Sequence, residues 1–294
     1  MAILVGPETA VICQGMTGRA ASYHIERAMA YGTRVVGGVR PGKGGTHHLD
    51  VPIFDSVRDA VSETSASASI IFVPPSNAAD AMIEAIEAEV PVVVCVTERV
   101  PVLDMVRVKD ALEGSKTSLI GPNSQGVLTP KACKLGVMAT AHERPGSIGI
   151  VSRSATLTSE IVAQTSAAGL GQSTTVGIGG DPVHGIGFVE CIELFMDDPE
   201  THGIILIGEI GGAEEEMAAD YLKSAKSAKP VVALVAGRHA PPERRMGHAG
   251  TLTLFGRADA NQKIKALRAA GVQIAPNPHQ VAETMRQSMN NLGT

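Results

Sequence analysis

The 294-residue chain is 44% hydrophobic, carries a formal net charge of −5 and holds 32 glycines against 5 Phe, 3 Tyr and no Trp. Ample apolar content with modest charge excludes a disordered chain, and the length suits one large or two medium domains. So few rings and an acidic balance argue against a stacking platform for single strands or a surface that coats a duplex.

Short apolar runs alternate with amphipathic segments from end to end. Strands are predicted at 10–14, 34–39, 69–73, 91–96, 118–121, 148–152, 174–178, 204–208, 231–235 and 272–275. Runs such as Val92-Val93-Val94-Cys95-Val96 are apolar on both faces, as a parallel strand covered by helices must be. Between them lie helix patterns: 79–87 sets Met82, Ile83 and Ile86 on one stripe, and 102–112 does so with Val102, Met105, Val106 and Leu112. The alternation predicts a doubly wound parallel α/β fold. Ten strands exceed one ordinary sheet, so two domains are expected, 1–128 and 146–294, joined by a loop-like linker at 129–145.

Four scattered cysteines (Cys13, Cys95, Cys133 and Cys191) form no C-x-x-C pair; three lie in apolar stretches and read as small buried hydrophobes. The first residues lack a basic region and a long apolar core, and no apolar run nears the ~20 residues that span a bilayer. A soluble, cytoplasmic protein is expected, with no membrane or nucleic-acid partner.

The first strand runs into Gln14-Gly15-Met16-Thr17-Gly18-Arg19-Ala20-Ala21, ahead of a helix. Glycines there permit backbone N–H groups to approach a phosphate at a helix N-terminus, though a turn that merely packs helix on strand uses them too. The second strand ends in Gly37-Gly38-Val39-Arg40-Pro41-Gly42-Lys43-Gly44-Gly45, with two cations where an NAD site would place an acid. Cations at that place call for a ribose phosphate, either that of NADP or the 3′-phosphate of coenzyme A.

In the second half, Arg153-Ser154-Ala155-Thr156-Leu157-Thr158 forms a hydroxyl-rich turn into a helix. Ser154 or Thr156 could grip an anion or cap the helix, and a cap is the commoner use of such residues. A glycine turn follows at Val176-Gly177-Ile178-Gly179-Gly180-Asp181-Pro182, and Glu209 stands alone at the end of an apolar strand. His248 lies between Gly247 and Gly250 on a loop that carries Arg244 and Arg245. A generic surface histidine is the default, but the flanking glycines open its ring to bulky, charged groups. Neutral imidazole can accept a phosphoryl group, and a carboxylate on one ring nitrogen, with Glu209 the natural candidate, would orient the other. No metal-ligand spacing appears, and His24, His47 and His48 read as loop residues.

As a set, these motifs resemble the α subunits of the succinate–CoA ligase type among the ADP/GTP-forming acid–thiol ligases. The resemblance rests on Cys13–Gly18, 36–45, Gly121-Pro122-Asn123, Ser152-Arg153-Ser154, 177–182, 208–212 and 245–250, in that order along nearly the whole chain. It implies a Rossmann-like CoA-binding domain followed by a flavodoxin-like ligase domain. It also implies a β subunit with an ATP-grasp domain, in a heterodimer or heterotetramer, binding ATP or GTP with Mg²⁺; this chain has no Walker A sequence. By the same resemblance Thr17, Gly18, Arg19 and Ala20 lie along CoA, Lys43 pairs with its phosphates, and Val96, Thr97 and Glu98 line its cleft. His248 becomes phosphohistidine, Glu209 orients it, and Ser154, Ala155, Ser159 and Asn123 serve the phosphate and the acid substrate. The chain departs from the family pattern at Ala21 (for glycine), at Ser124-Gln125-Gly126 (for Cys-Pro-Gly), at Ser159 (for tyrosine) and at 251–257 (for a glycine-rich stretch). The change at Ser159 makes room in the acid pocket, so succinate, malate or a related or sulfonated short acid fits. A CoA-binding protein without turnover and an NADP-linked oxidoreductase are the rival readings.

Overall fold

A computed structural model describes residues 3–225, 229–241, 244, 246–251 and 258–291. Arg245, and 252–257 of the departure at 251–257, lie outside the described residues. The chain forms two compact units, residues 4–138 with Val183–Gly185, and residues 139–182 with 186–291 and Ile3.

The N-terminal unit begins with β1 (Ala10–Gln14), α1 (Arg19–Tyr31), β2 (Arg34–Val39), β3 (His47–His48), β4 (Val51–Phe54), α2 (Val57–Thr64) and β5 (Ala68–Ile71). It continues with α3 (Pro75–Glu87), β6 (Val92–Cys95), α4 (Val102–Leu112), β7 (Ser118–Ile120) and the hairpin β8 (Gly126–Thr129) and β9 (Cys133–Gly136). Its main sheet runs β3-β4-β2-β1-β5-β6-β7. All these neighbours pair in parallel except β3, which is antiparallel to β4. Numbering the parallel strands alone gives the order 3-2-1-4-5-6 of a Rossmann domain, whose switch point falls between β1 and β5. Ile12, Ile71, Val93, Met82, Ile86 and Met105 are buried in its core, so the apolar strands and helix stripes face one another as the pattern requires.

The C-terminal unit holds β10 (Pro145–Ser152), α5 (Ala155–Ala167), β11 (Gln172–Gly177), α6 (Phe188–Asp197) and β12 (Gly203–Glu209). Then come α7 (Glu214–Ala225), β13 (Val231–Ala236), α8 (Ala260–Ala269), β14 (Gln273–Ile274) and α9 (Val281–Asn291). Its strands run β14-β13-β12-β10-β11, all parallel. That is the 2-1-3-4-5 order of a flavodoxin-like sheet, which reverses direction beside β10. Ile150, Ile161, Ile205, Ile207, Val232 and Met285 pack around it.

Each of the ten predicted strands is present, within a few residues at its ends. Two expectations are corrected. The stretch 129–145 is not loop-like throughout, because Cys133–Gly136 pairs with Gly126–Thr129 as an antiparallel hairpin. His47 and His48 are not loop residues but form β3, held by pairing to Pro52 and Val51, and His24 sits within α1. No helix among the described residues is long and apolar enough to cross a membrane.

Candidate active site

The carboxyl ends of β1, β2 and β5 frame a cleft of about 510 Å³, lined by Gly15, Thr17, Gly18, Arg40 and Asn77 among others. Gly15 adopts a φ of +79°, and a Cβ there would lie 2.7 Å from the Phe72 carbonyl oxygen. Only glycine lets the turn pass this close to the next strand. No side chain caps α1 at Gly18, so the positive end of the helix is not masked by an acidic or hydroxyl group. Arg40 donates a hydrogen bond to the Thr17 hydroxyl, which brings a guanidinium onto the glycine turn.

A second cleft of about 350 Å³ is lined by Val96, Thr97 and Glu98, and the two clefts share Phe72 and Val73. The Thr97 hydroxyl donates to the Val73 carbonyl at 2.7 Å, and the Asn123 N–H donates to the Thr97 carbonyl at 2.9 Å. Asn123, expected among the phosphate and acid ligands, thus lies beside the residues expected to line the CoA cleft. Arg19, Ala20 and Lys43 are exposed and lie outside both linings. The Lys43 loop is fixed from below: the Lys43 and Gly44 N–H groups donate to Asp55 Oδ1 at 3.1 and 2.9 Å. Backbone hydrogen bonds, that of Gly44 first, hold the Asp55 carboxyl below its usual range.

In the C-terminal unit the strand ends converge where the sheet reverses. Glu209 is the last residue of β12, Arg153 follows β10, and Gly180 and Asp181 follow β11. His248 Nδ1 lies 2.7 Å from Glu209 Oε2. Arg153 ties three segments together: Nε donates to Glu209 Oε1 at 3.1 Å, Nη1 to Glu214 Oε2 at 3.2 Å, and Nη2 to the Asp181 carbonyl at 2.9 Å. The Arg153 and Glu209 side chains are only 8% and 10% exposed, whereas that of His248 is 33% exposed. The imidazole therefore has one buried, fixed edge and one edge open to reactants. A Cβ at Gly180 would sit 2.5 Å from His248 Cγ, so the ring rests directly on that backbone.

The Glu209 hydrogen bond raises the His248 pKa above 6.5, against the opposing effects of burial and the Arg153 charge. Thr251 fastens the histidine loop: its hydroxyl donates to the His248 carbonyl at 2.7 Å and accepts the Met246 N–H at 3.1 Å. At the start of α5, Ser154 takes the capping role, accepting the Leu157 N–H at 3.3 Å, with Ala155 as the first helical residue. Ser159 is exposed, and its hydroxyl donates to the Ala155 carbonyl at 3.2 Å.

The sequence-predicted pair His248 and Glu209 is thus in contact, and Thr17 with Gly18 line one cleft while Val96, Thr97 and Glu98 line its neighbour. Arg153, Glu214 and Thr251 were given no role from sequence. Arg153 was hidden in a motif read for its hydroxyls, although a cation directly after an apolar strand was the available signal.

Residues 7–99 match the CoA binding domain family, and residues 151–273 match the CoA-ligase family. The chain is 50% identical over 287 residues to the ADP-forming succinate–CoA ligase subunit alpha of Aquifex aeolicus, covering 97% of this chain and 94% of that one. It is 45% identical over 293 residues to the same subunit of Staphylococcus aureus, covering 100% and 97%. The chain belongs to the succinate–CoA ligase alpha subunit family. Members of the succinate–CoA ligase family form carbon–sulfur bonds, and both domain matches fall on the units that carry the two candidate sites. Among solved structures, ATP citrate lyase from Methanothrix soehngenii, in complex with citrate and coenzyme A, superimposes with a TM-score of 0.88 at 25% identity. That match covers 99% of this chain and 51% of the lyase chain, so the chain spans about half the lyase's length.

Proposed function

We propose that this chain is the α subunit of a nucleoside-diphosphate-forming ligase that joins a short dicarboxylate to CoA through phosphohistidine at His248. The observation that carries the reading is the 2.7 Å contact of His248 Nδ1 with Glu209. With its proton on Nδ1 and donated to that carboxylate, the ring presents the Nε2 lone pair to an electrophile. Nε2 attacks the terminal phosphorus of ATP or GTP, and the nucleoside diphosphate leaves. A substrate carboxylate then takes the phosphoryl group, which regenerates the imidazole, and thiol attack on the acyl phosphate releases phosphate.

Glu209 fixes the tautomer and stabilises the positive charge that develops on the ring. Ser154 and Ala155, at the N-terminus of α5, supply backbone N–H groups and a helix dipole suited to the phosphoryl oxygens. CoA supplies the attacking thiol. Thr17, Gly18, Arg19, Ala20 and Lys43 would hold its phosphates, and Val96, Thr97 and Glu98 would border its remaining length; two adjoining clefts beside a glycine turn with nearby cations fit so long and anionic a molecule. The nucleotide and Mg²⁺ belong to a β subunit with an ATP-grasp domain, in a heterodimer or heterotetramer in the cytoplasm. Ser159 bears on the choice of acid, with succinate, malate and related or sulfonated acids as the class.

The test is labelling with γ-³²P-ATP in a complex co-expressed with the β subunit. Wild type incorporates acid-labile, alkali-stable label, and His248→Asn incorporates none. Label retained in His248→Asn would refute the reading.

A further inference from the structure

Glu209 presents its carboxylate to Arg153 and His248 from the last residue of β12. The Glu209 N–H donates to Glu215 Oε1 at 2.8 Å. The other oxygen, Glu215 Oε2, accepts from Lys263 Nζ, which also lies 3.5 Å from Glu216 Oε2. Glu215 and Lys263 are 1% and 0% exposed, so this is a fully buried ion pair joining α7 to α8. Burying such a pair is costly, and apolar residues of like volume often serve stability as well or better. Stability alone therefore does not explain it. The backbone makes room for it too: a Cβ at Gly208 would lie 2.4 Å from Glu215 Oε1.

We propose that Glu215 is a positioning residue for the reacting histidine, with Lys263 balancing its buried charge. Glu215 fixes the Glu209 backbone, and Glu209 meets His248 Nδ1 as a result. Three consecutive glutamates divide the labour: Glu214 holds the Arg153 guanidinium, Glu215 holds the Glu209 N–H, and Glu216 flanks Lys263. The histidine itself faces Glu209, Arg153 and Asp181, and Glu215 is tied to this set through the Glu209 backbone. The effect on rate rests on the phosphohistidine reading, whereas the effect on the imidazole does not.

The experiment uses the full chain with ¹³C-labelled histidine, the His248 signal being assigned by its loss in His248→Asn, and compares two variants without the buried charges. Glu215→Gln/Lys263→Met keeps an oxygen that can accept the Glu209 N–H; Glu215→Leu/Lys263→Met keeps the volume but not the acceptor. Both are expected to remain folded by circular dichroism because each removes the buried Glu215–Lys263 charges together, and the loss of Lys263 beside the partly exposed Glu216 is common to the two. In the Gln variant His248 titrates at the wild-type pH. In the Leu variant it titrates at lower pH, as in Glu209→Gln, and phosphorylation in the αβ complex falls by up to about 100-fold, the scale of misplacing a reacting group by an ångström. Equal titration in the two variants, at either pH, overturns the proposal. An unlabelled wild-type complex with the titration difference intact would overturn the phosphohistidine reading and leave the positioning role standing.

Discussion

The two units put their candidate sites at the same place, the carboxyl ends of parallel strands beside a switch point, and equip them in opposite ways. In the N-terminal unit the cations Arg19, Arg40 and Lys43 are exposed, around a cleft walled by glycine turns. In the C-terminal unit Arg153, Glu209, Glu215 and Lys263 are buried and locked to one another. Among the described residues, every buried carboxylate belongs to the C-terminal unit. The contrast suits the proposed tasks. A site that admits and releases a polyanion gains from solvated charges that adapt to it. A site that aims one lone pair gains from dipoles and charges already fixed in place.

The sharpest way to break this contrast is to make the same change in both units. Lys263→Met strands the Glu215 carboxylate and is expected to cost about 3–5 kcal/mol in urea unfolding, the usual penalty for removing one member of a buried pair. Lys43→Met leaves the unfolding midpoint in place and weakens CoA binding instead. If both lysines prove equally dispensable for stability, the contrast fails. Gly180→Ala drives a methyl group into the His248 ring and is expected to cost about 1–3 kcal/mol, as overpacking does, with loss of phosphohistidine labelling and unchanged CoA affinity. Arg40→Met should raise the dissociation constant for CoA about tenfold, or about 1.4 kcal/mol, and flatten its salt dependence. Calorimetric titration at two salt concentrations reads both quantities, and the His248 titration should not move.

The smallest effect is a pH dependence. Because the folded-state pKa of His248 is raised by Glu209 above 6.5, protonated His248 stabilises the fold fully below about pH 6.5. That contribution is lost as pH rises through the folded value. Denaturation midpoints measured across this window should fall with pH in wild type and less so in His248→Asn. The phosphorylation rate should move the other way, rising with pH as the imidazole becomes neutral.

The fold was legible in the sequence wherever apolar runs were long enough to mark a fully covered strand. The strands that escaped, β3, β4, β8 and β9, are two to four residues long, and β3 is His47-His48, a polar edge with no apolar run. Glu209 and His248 were legible because each breaks a local rule: a carboxylate closes an apolar strand, and an imidazole sits among glycines. Lys263 breaks a rule just as plainly. It shares the buried face of α8 with Ala260, Ile264 and Leu267, and a charge on such a stripe signals a buried partner. Glu215 could not be found that way, since in Glu214-Glu215-Glu216 only the turn of the helix decides which carboxylate faces inward.

Ser159 carries a consequence of a different kind. Its side chain points along the outer face of α5 and satisfies itself on its own helix, one turn back. None of the hydrogen bonds that fix Arg153, Glu209 or His248 passes through it. Residues can therefore be exchanged at this position without retuning the histidine, so that, on the proposed function, acid selection could change while the phosphoryl chemistry stays as it is.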